Sequence, residues 1–119
     1  MSVTLTAHQS GDVTIVDANG KLVLGEETSA LRNKIRELVA GGSKRIILNL
    51  GNVSYMDSSG LGELIGAHTT VTTAGGEMKL LNLAGRVHDL LKITRLYTAF
   101  EVFEDEATAV SSFTIAKAV

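Results

Sequence analysis

Residues 45–68 read RIILNLGNVSYMDSSGLGELIGAH, and the fold class can be predicted from these residues. Its first part, RIILNL at 45–50, is a nearly continuous apolar run, which is typical of a strand buried on both faces of a parallel sheet. Its second part predicts a helix from about 58 to 74, which Gly75-Gly76 ends. A buried strand that leads directly into a helix indicates an α/β fold.

The chain before this unit predicts a hairpin and a helix. Two β-branched runs, at 3–9 and 13–18, are separated by Ser10-Gly11-Asp12, which is a hairpin signal. Asn19-Gly20 then predicts a turn, and residues 26–40 predict a helix. The apolar side chains of that helix fall on one face, namely Leu31, Ile35, Leu38 and Val39.

The chain after this unit predicts four more elements. They are a strand MKLLNL (78–83), a helix RVHDLLKITRL (86–96), a strand AFEVFE (99–104) and a helix DEATAVSSF (105–113). Asp105 is the expected N-cap of the last helix, and residues 113–119 are expected to be a frayed tail. The sequence therefore predicts one α/β domain over residues 1–119. It has about five strands and four helices, in a mainly parallel central sheet with an antiparallel N-terminal edge hairpin.

The composition argues against several classes of protein. The chain has 119 residues, of which 45% are apolar, and 11 basic against 13 acidic residues give a net charge of −2. The chain has no excess of basic residues, so we do not expect it to bind nucleic acid. The absence of cysteine excludes disulfides and thiolate metal sites. The three histidines are dispersed and do not suggest a metal site. The sequence contains no phosphate-binding loop pattern, so we expect no cofactor. No signal peptide and no apolar run of ~18 residues is seen, so we expect a cytoplasmic protein without membrane insertion.

The helix at 58–74 carries two stripes when its residues are placed about 100° apart. The expected core stripe consists of Leu61, Leu64, Ile65, His68 and Thr72. A second stripe consists of small residues, namely Ser59, Gly62, Gly66, Thr69 and Thr73. Small residues could let the helix pack tightly on its own sheet, or let another protein approach closely. The angle between the stripes favours a face that is turned toward a partner.

Asp57 and Ser58 stand at the start of this helix. Either residue would serve as an N-cap, but a cap explains only one of them. A helix N-terminus presents unpaired N–H groups and can therefore hold a phosphate. A phosphoserine there adds roughly −1.5 to −2 charges. Such a modification could leave the fold intact while it prevents a partner from binding at this surface.

The stretch MDSSGLGELIG at 56–66, preceded by RIILNLGNVSY at 45–55, resembles the signature of STAS domains. More narrowly, it resembles the bacterial anti-sigma-factor antagonists, and the resemblance covers nearly the whole chain. This resemblance implies a STAS fold and a partner-switching function. In that scheme a serine kinase, which is also the anti-sigma factor, phosphorylates the serine that follows the motif aspartate, here Ser58.

The resemblance also implies the partners. The unphosphorylated antagonist binds the kinase and so frees a sigma factor for transcription. The phosphorylated antagonist does not bind until a metal-dependent phosphatase of the PP2C type restores it. The positions that match the motif are Asp57, Ser58, Ser59, Gly60, Leu61 and Gly62. With two residues of the small stripe, Gly66 and Thr69, they form the predicted partner-binding site.

Two other functions compete with this one. Ser58 could be a catalytic nucleophile with His8, His68 or His88 as its base. The hydrolase elbow needs glycine two residues before the serine, where this chain has Met56, so we do not expect an enzyme. Alternatively, the chain could be a non-switching STAS module, an accessory or scaffold of a transporter or a stress-signalling assembly. The identity of the neighbouring genes would distinguish these functions.

Overall fold

The computed structural model describes residues 3–23, 26–83 and 85–118 and confirms the predicted α/β fold. The strands are β1 (Val3–Ser10), β2 (Val13–Leu22), β3 (Arg45–Met56), β4 (Glu77–Leu81) and β5 (Val102–Phe103). The helices are α1 (Glu26–Ala40), α2 (Ser58–Thr73), α3 (Gly85–Ile93) and α4 (Glu106–Ala118), with a 3-10 helix at Leu96–Ala99 between α3 and β5.

The five strands form one mixed sheet in the order β1-β2-β3-β4-β5. β1 pairs with β2 antiparallel, and the other three pairs are parallel. A two-residue turn, Gly11 and Asp12, joins β1 to β2. Gly11 has a φ of +64°, which suits the first central position of a type II′ hairpin turn. The predicted edge hairpin and the mainly parallel sheet are both confirmed.

Both faces of the sheet are covered, which is why β3 is apolar at successive positions. Ile46 and Leu48 belong to the larger core, beneath α1, α2 and α3. Ile47 points to the opposite face and joins a smaller core with Ala109 and Phe113 of α4. The prediction that residues 45–50 are buried on both faces is therefore confirmed for Ile46, Ile47 and Leu48, which are completely buried.

The predicted turn at Asn19-Gly20 is wrong. Both residues lie within β2, which continues to Leu22. The register between β2 and β3 shifts on either side of them, so a local irregularity of the ladder takes the place of a turn. The strand continues because β3 runs on to Met56, well beyond the predicted end at residue 50, and gives β2 a partner along its length.

Several other predicted boundaries also move. β4 ends at Leu81, because Asn82 takes a left-handed backbone with a φ of +57°. α3 ends at Ile93, two residues before Arg95, which is also left-handed. The 3-10 helix then occupies 96–99, so β5 contains two residues where the sequence predicts a strand at 99–104.

The predicted cap of the last helix is confirmed. The backbone N–H and the hydroxyl of Thr108 both donate to Asp105 Oδ2 at 2.9 Å, and these hydrogen bonds lower the pKa of Asp105. α4 continues to Ala118, so the chain is helical through most of the stretch predicted to fray. Val119 lies outside the described residues.

Candidate functional site

A single residue, Asp57, joins the end of β3 to the start of α2. Its backbone is extended, with φ −103° and ψ −174°, and its Oδ1 accepts a hydrogen bond from the N–H of Gly60 at 2.9 Å. Its own backbone N–H donates to the carbonyl oxygen of Leu22 at 3.2 Å. Asp57 is therefore the N-cap, and Ser58 is an exposed first residue of the helix that the cap does not require.

Gly60 is a glycine because the end of β2 lies against the first turn of α2. A Cβ atom at Gly60 would lie 2.2 Å from the carbonyl oxygen of Leu22 and 2.9 Å from the Cγ of Met56. Leu61, the next residue, is 6% exposed and belongs to the main core. The prediction that these two residues contact a partner therefore needs correction. Both are buried, and they position the helix from beneath.

The buried face of α2 is not the predicted one. Its buried residues are Gly60, Leu61, Leu64, Ala67 and Val71. Ile65, predicted in the core, is 38% exposed, and Thr72 is exposed as well. The helix is thus turned by roughly 70° from the predicted orientation, at about 100° per residue. His68, which is also in the predicted core stripe, is half-buried and makes an edge-to-face contact with Phe100 at 5.0 Å between ring centroids.

Packing against α1 accounts for this orientation. Arg32 of α1 donates to Glu63 of α2 at 2.5 Å, and the Glu63 side chain is 14% exposed. The flank of α2 that carries Glu63 is therefore directed toward α1. The helix buries small residues such as Ala67 on this side, where a bulky side chain would hold the two helices apart.

The exposed residues of α2 form a continuous band that we call the outer face. It consists of Ser58, Gly62, Ile65, Thr69, Thr72 and Thr73, with half-buried Ser59 and Gly66 along its margin. A Cβ atom at Gly62 or Gly66 would meet no atom within 4 Å. These two glycines are therefore not needed for close packing against the described part of the chain. The outer face therefore has little side-chain bulk, apart from the large apolar side chain of Ile65.

A groove beside Ser58 continues the surface toward α3. Tyr55, Asp57 and Ser58 line one side, and Asp89 and Ile93 of α3 are on the other. Ile93 is 79% exposed and Tyr55 37%, so apolar surface and two acidic residues adjoin the serine. The sequence did not indicate that Tyr55, Asp89 and Ile93 belong to the site, because their proximity to Ser58 depends on how α3 packs.

The histidines considered as catalytic bases lie in three separate environments. His8 of β1 faces Asp17 at 3.3 Å, and His88 of α3 lies 3.8 Å from Asp89. His68 packs on Phe100. Within residues 3–23, 26–83 and 85–118, no group of three or more His, Cys, Asp or Glu residues could hold a metal ion. No helix in the described part of the chain is long and apolar enough to cross a membrane.

Comparison with known sequences identifies the same family as the sequence motif indicates. The STAS domain family model matches residues 4–109. The anti-sigma-B factor antagonist of Bacillus subtilis is 40% identical over 102 residues, which cover 86% of this chain and 92% of that protein. The anti-sigma F factor antagonist of Paenibacillus polymyxa is 32% identical over 72 residues, or 60% of this chain. That match spans 62% of the Paenibacillus protein, which is less than two thirds of its length.

Solved structures show the same fold. A putative anti-sigma factor antagonist from Thermotoga maritima superposes with a TM-score of 0.82 at 22% identity, covering 91% of this chain and 92% of that one. The phosphorylated form of the Bacillus cell fate determinant SpoIIAA superposes with a TM-score of 0.71 at 21% identity, covering 92% and 99%.

Proposed function

The chain belongs to the STAS domain family of anti-sigma factor antagonists, and we propose that it is a phosphorylation-controlled switch. Unphosphorylated, it binds an anti-sigma factor that is also a serine kinase, and a sigma factor is released. Phosphorylation of Ser58 ends the binding, and a PP2C-type phosphatase restores it. The observation that carries this proposal is the exposure of Ser58 at the start of α2, next to the N-cap residue Asp57.

The position of Ser58 explains how the fold would tolerate a phosphate. Ser58 is the first residue of a helix of 16 residues, where the helix dipole favours negative charge. The cap hydrogen bond, from the Gly60 N–H to Asp57, does not involve the Ser58 side chain. A phosphate on Ser58 would therefore leave this junction intact.

The same position explains why a phosphate would disturb a partner. Asp57 and Asp89 lie in the groove beside Ser58, so the phosphate would add to negative charge already present. A partner surface that fits the neutral hydroxyl would have to remove water from an additional anion without having a cation to pair with it. The proposed switch is thus a change of surface charge and needs no rearrangement of the domain.

The outer face of α2 supplies the proposed contact area. Gly62, Gly66 and Thr69 leave a low surface that a partner backbone can approach, and Ser59 lies at its margin. Ile65 adds an apolar contact that the sequence did not predict. With Asp57 and Ser58, these residues form the docking site, while Gly60 and Leu61 support it from below. We propose a regulatory role and no catalytic one, since Met56 stands where the hydrolase elbow needs a glycine two residues before the serine.

Incubation with ATP and the cognate anti-sigma serine kinase should place one phosphate on Ser58. Ser58 is exposed, whereas Ser59 is half-buried. Mass spectrometry of the digested protein locates the phosphate. Ser58→Ala should abolish the labelling, and Ser59→Ala, the matched control, should retain it. Phosphate found only on Ser59 or on a threonine would contradict the proposal.

A further inference from the structure

β1 lies at one end of the sheet, and its second edge pairs with no strand of the described chain. Its eight residues, Val3–Ser10, pair with β2 in a continuous register from Val3↔Gly20 to Ser10↔Val13. The opposite end of the sheet is different, because β5 contains two residues. The sheet therefore has one long regular edge and one very short edge.

The hairpin turn shows which backbone groups of β1 face outward. Ser10 and Val13 flank the two-residue turn and so form a hydrogen-bonded pair. Hydrogen-bonded and non-hydrogen-bonded pairs alternate along an antiparallel ladder. The even-numbered residues of β1 thus bond to β2. The N–H and C=O groups of the odd-numbered residues point away from the sheet, and these are Val3, Leu5, Ala7 and Gln9.

This edge lacks the features that usually prevent pairing with another strand. Exposed edges are commonly protected by charged side chains, proline, a bulge or a short length. β1 reads VTLTAHQS, with no Lys, Arg, Asp, Glu or proline, and its pairing with β2 shows no register shift. A strand of this kind is open to another strand.

A second copy of the chain fits this edge better than an unrelated strand. An antiparallel pair of identical strands is related by a two-fold axis, so every contact occurs twice. The side chains of Leu5 and Ala7 are partly buried against the main core, and those of Thr4 and Thr6 are exposed on the other face. When the axis passes between the two copies of Leu5, Val3 lies opposite Ala7 and Thr4 lies opposite Thr6, so apolar side chains meet apolar ones and threonines meet threonines. Such cross-strand pairs are favourable, and no like charges oppose one another.

We propose that two copies of this chain associate through antiparallel pairing of β1 and so form a continuous ten-stranded sheet. One strand pair is a small interface, so the dimer is weak and forms only at high protein concentration. The outer face of α2 takes no part in this contact. The dimer therefore forms whether or not Ser58 is phosphorylated, and it does not depend on the proposed switch.

Sedimentation velocity over concentrations up to the millimolar range tests this proposal. The unmodified protein should shift from monomer to dimer as its concentration rises. The double variant Thr4→Lys/Thr6→Lys should weaken association at least about tenfold, because four lysines would then face one another across the axis. The double variant Asn33→Lys/Ser111→Lys adds the same charge at exposed positions of α1 and α4 and should associate normally.

A proline variant keeps the test independent of charge. Ala7→Pro removes an outward N–H and no hairpin hydrogen bond, so it should abolish the dimer while the domain still melts cooperatively. His8→Pro removes an inward N–H and should lower the melting temperature far more. A protein that stays monomeric at all concentrations would overturn the proposal. So would lysine variants at Thr4 and Thr6 that associate as tightly as the unmodified chain.

Discussion

Replacing Gly60 by alanine is expected to lower the free energy of unfolding by more than about 4 kcal/mol, which is exceptional for the addition of one methyl group. The new Cβ atom would lie 2.2 Å from the backbone oxygen of Leu22 and 2.9 Å from the carbonyl carbon of the same residue. Relief would require β2 and α2 to separate, and both carry core residues. The Asp57 cap would be lost in the same movement, because it ends on the N–H of Gly60.

Gly62→Ala is the matched control, two residues along the same helix. A Cβ atom at Gly62 meets nothing within 4 Å, so alanine should stabilise the domain by up to about 1 kcal/mol through its helix propensity. Urea denaturation followed by circular dichroism measures both changes. If Gly60→Ala and Gly62→Ala had similar stabilities, the close approach of Leu22 to α2 would be refuted.

Gly66→Arg should weaken binding to the anti-sigma kinase at least about 100-fold, which corresponds to ~2.7 kcal/mol. Gly66 lies at the margin of the outer face with open space above it, so arginine fits the free protein and blocks the approach of the partner. The isolated domain should be at least as stable as before, because arginine is the better helix former.

Ser111→Arg provides the control for Gly66→Arg. Ser111 is an exposed residue of α4, on the opposite face of the sheet, so the same added charge and bulk should not change the affinity. Isothermal titration calorimetry against the purified kinase gives both values, and thermal melts show that each variant is folded. Normal binding by a folded Gly66→Arg variant would remove the outer face of α2 from the proposed interface.

The sequence predicted the order of the elements and the position of Ser58, because both depend on local patterns. The apolar run at 45–50, the glycine pairs after α1 and α2, and the pair Asp57-Ser58 lie within a few residues of the features that they specify. The orientation of α2 was not predictable in the same way. Hydrophobicity places Ile65 in the core, but the structure buries Ala67 there, since α1 packs against that flank.

Gly60 shows a second limit of sequence patterns. Its residue type is explained by the carbonyl oxygen of Leu22, 38 positions earlier in the chain, and no local pattern contains that contact. The groove beside Ser58 is a similar case. Tyr55 and Ile93 come together only when α3 packs next to the junction of β3 and α2. The exposure and proximity of such apolar residues can be seen only in the folded structure.

Charge at Ser58 is proposed to control docking without unfolding the domain. Ser58→Ala should bind the kinase constitutively, and Ser58→Asp should bind at least about tenfold more weakly, because its carboxylate lies beside Asp57. Both variants should melt at similar temperatures, since the start of a helix accepts a carboxylate.

The decisive measurement is calorimetric titration of the purified kinase with the unphosphorylated and the Ser58-phosphorylated protein. The unphosphorylated protein should bind the kinase clearly, and the phosphorylated protein should bind it at least ~100-fold more weakly. Equal affinities of the two forms would contradict this proposal.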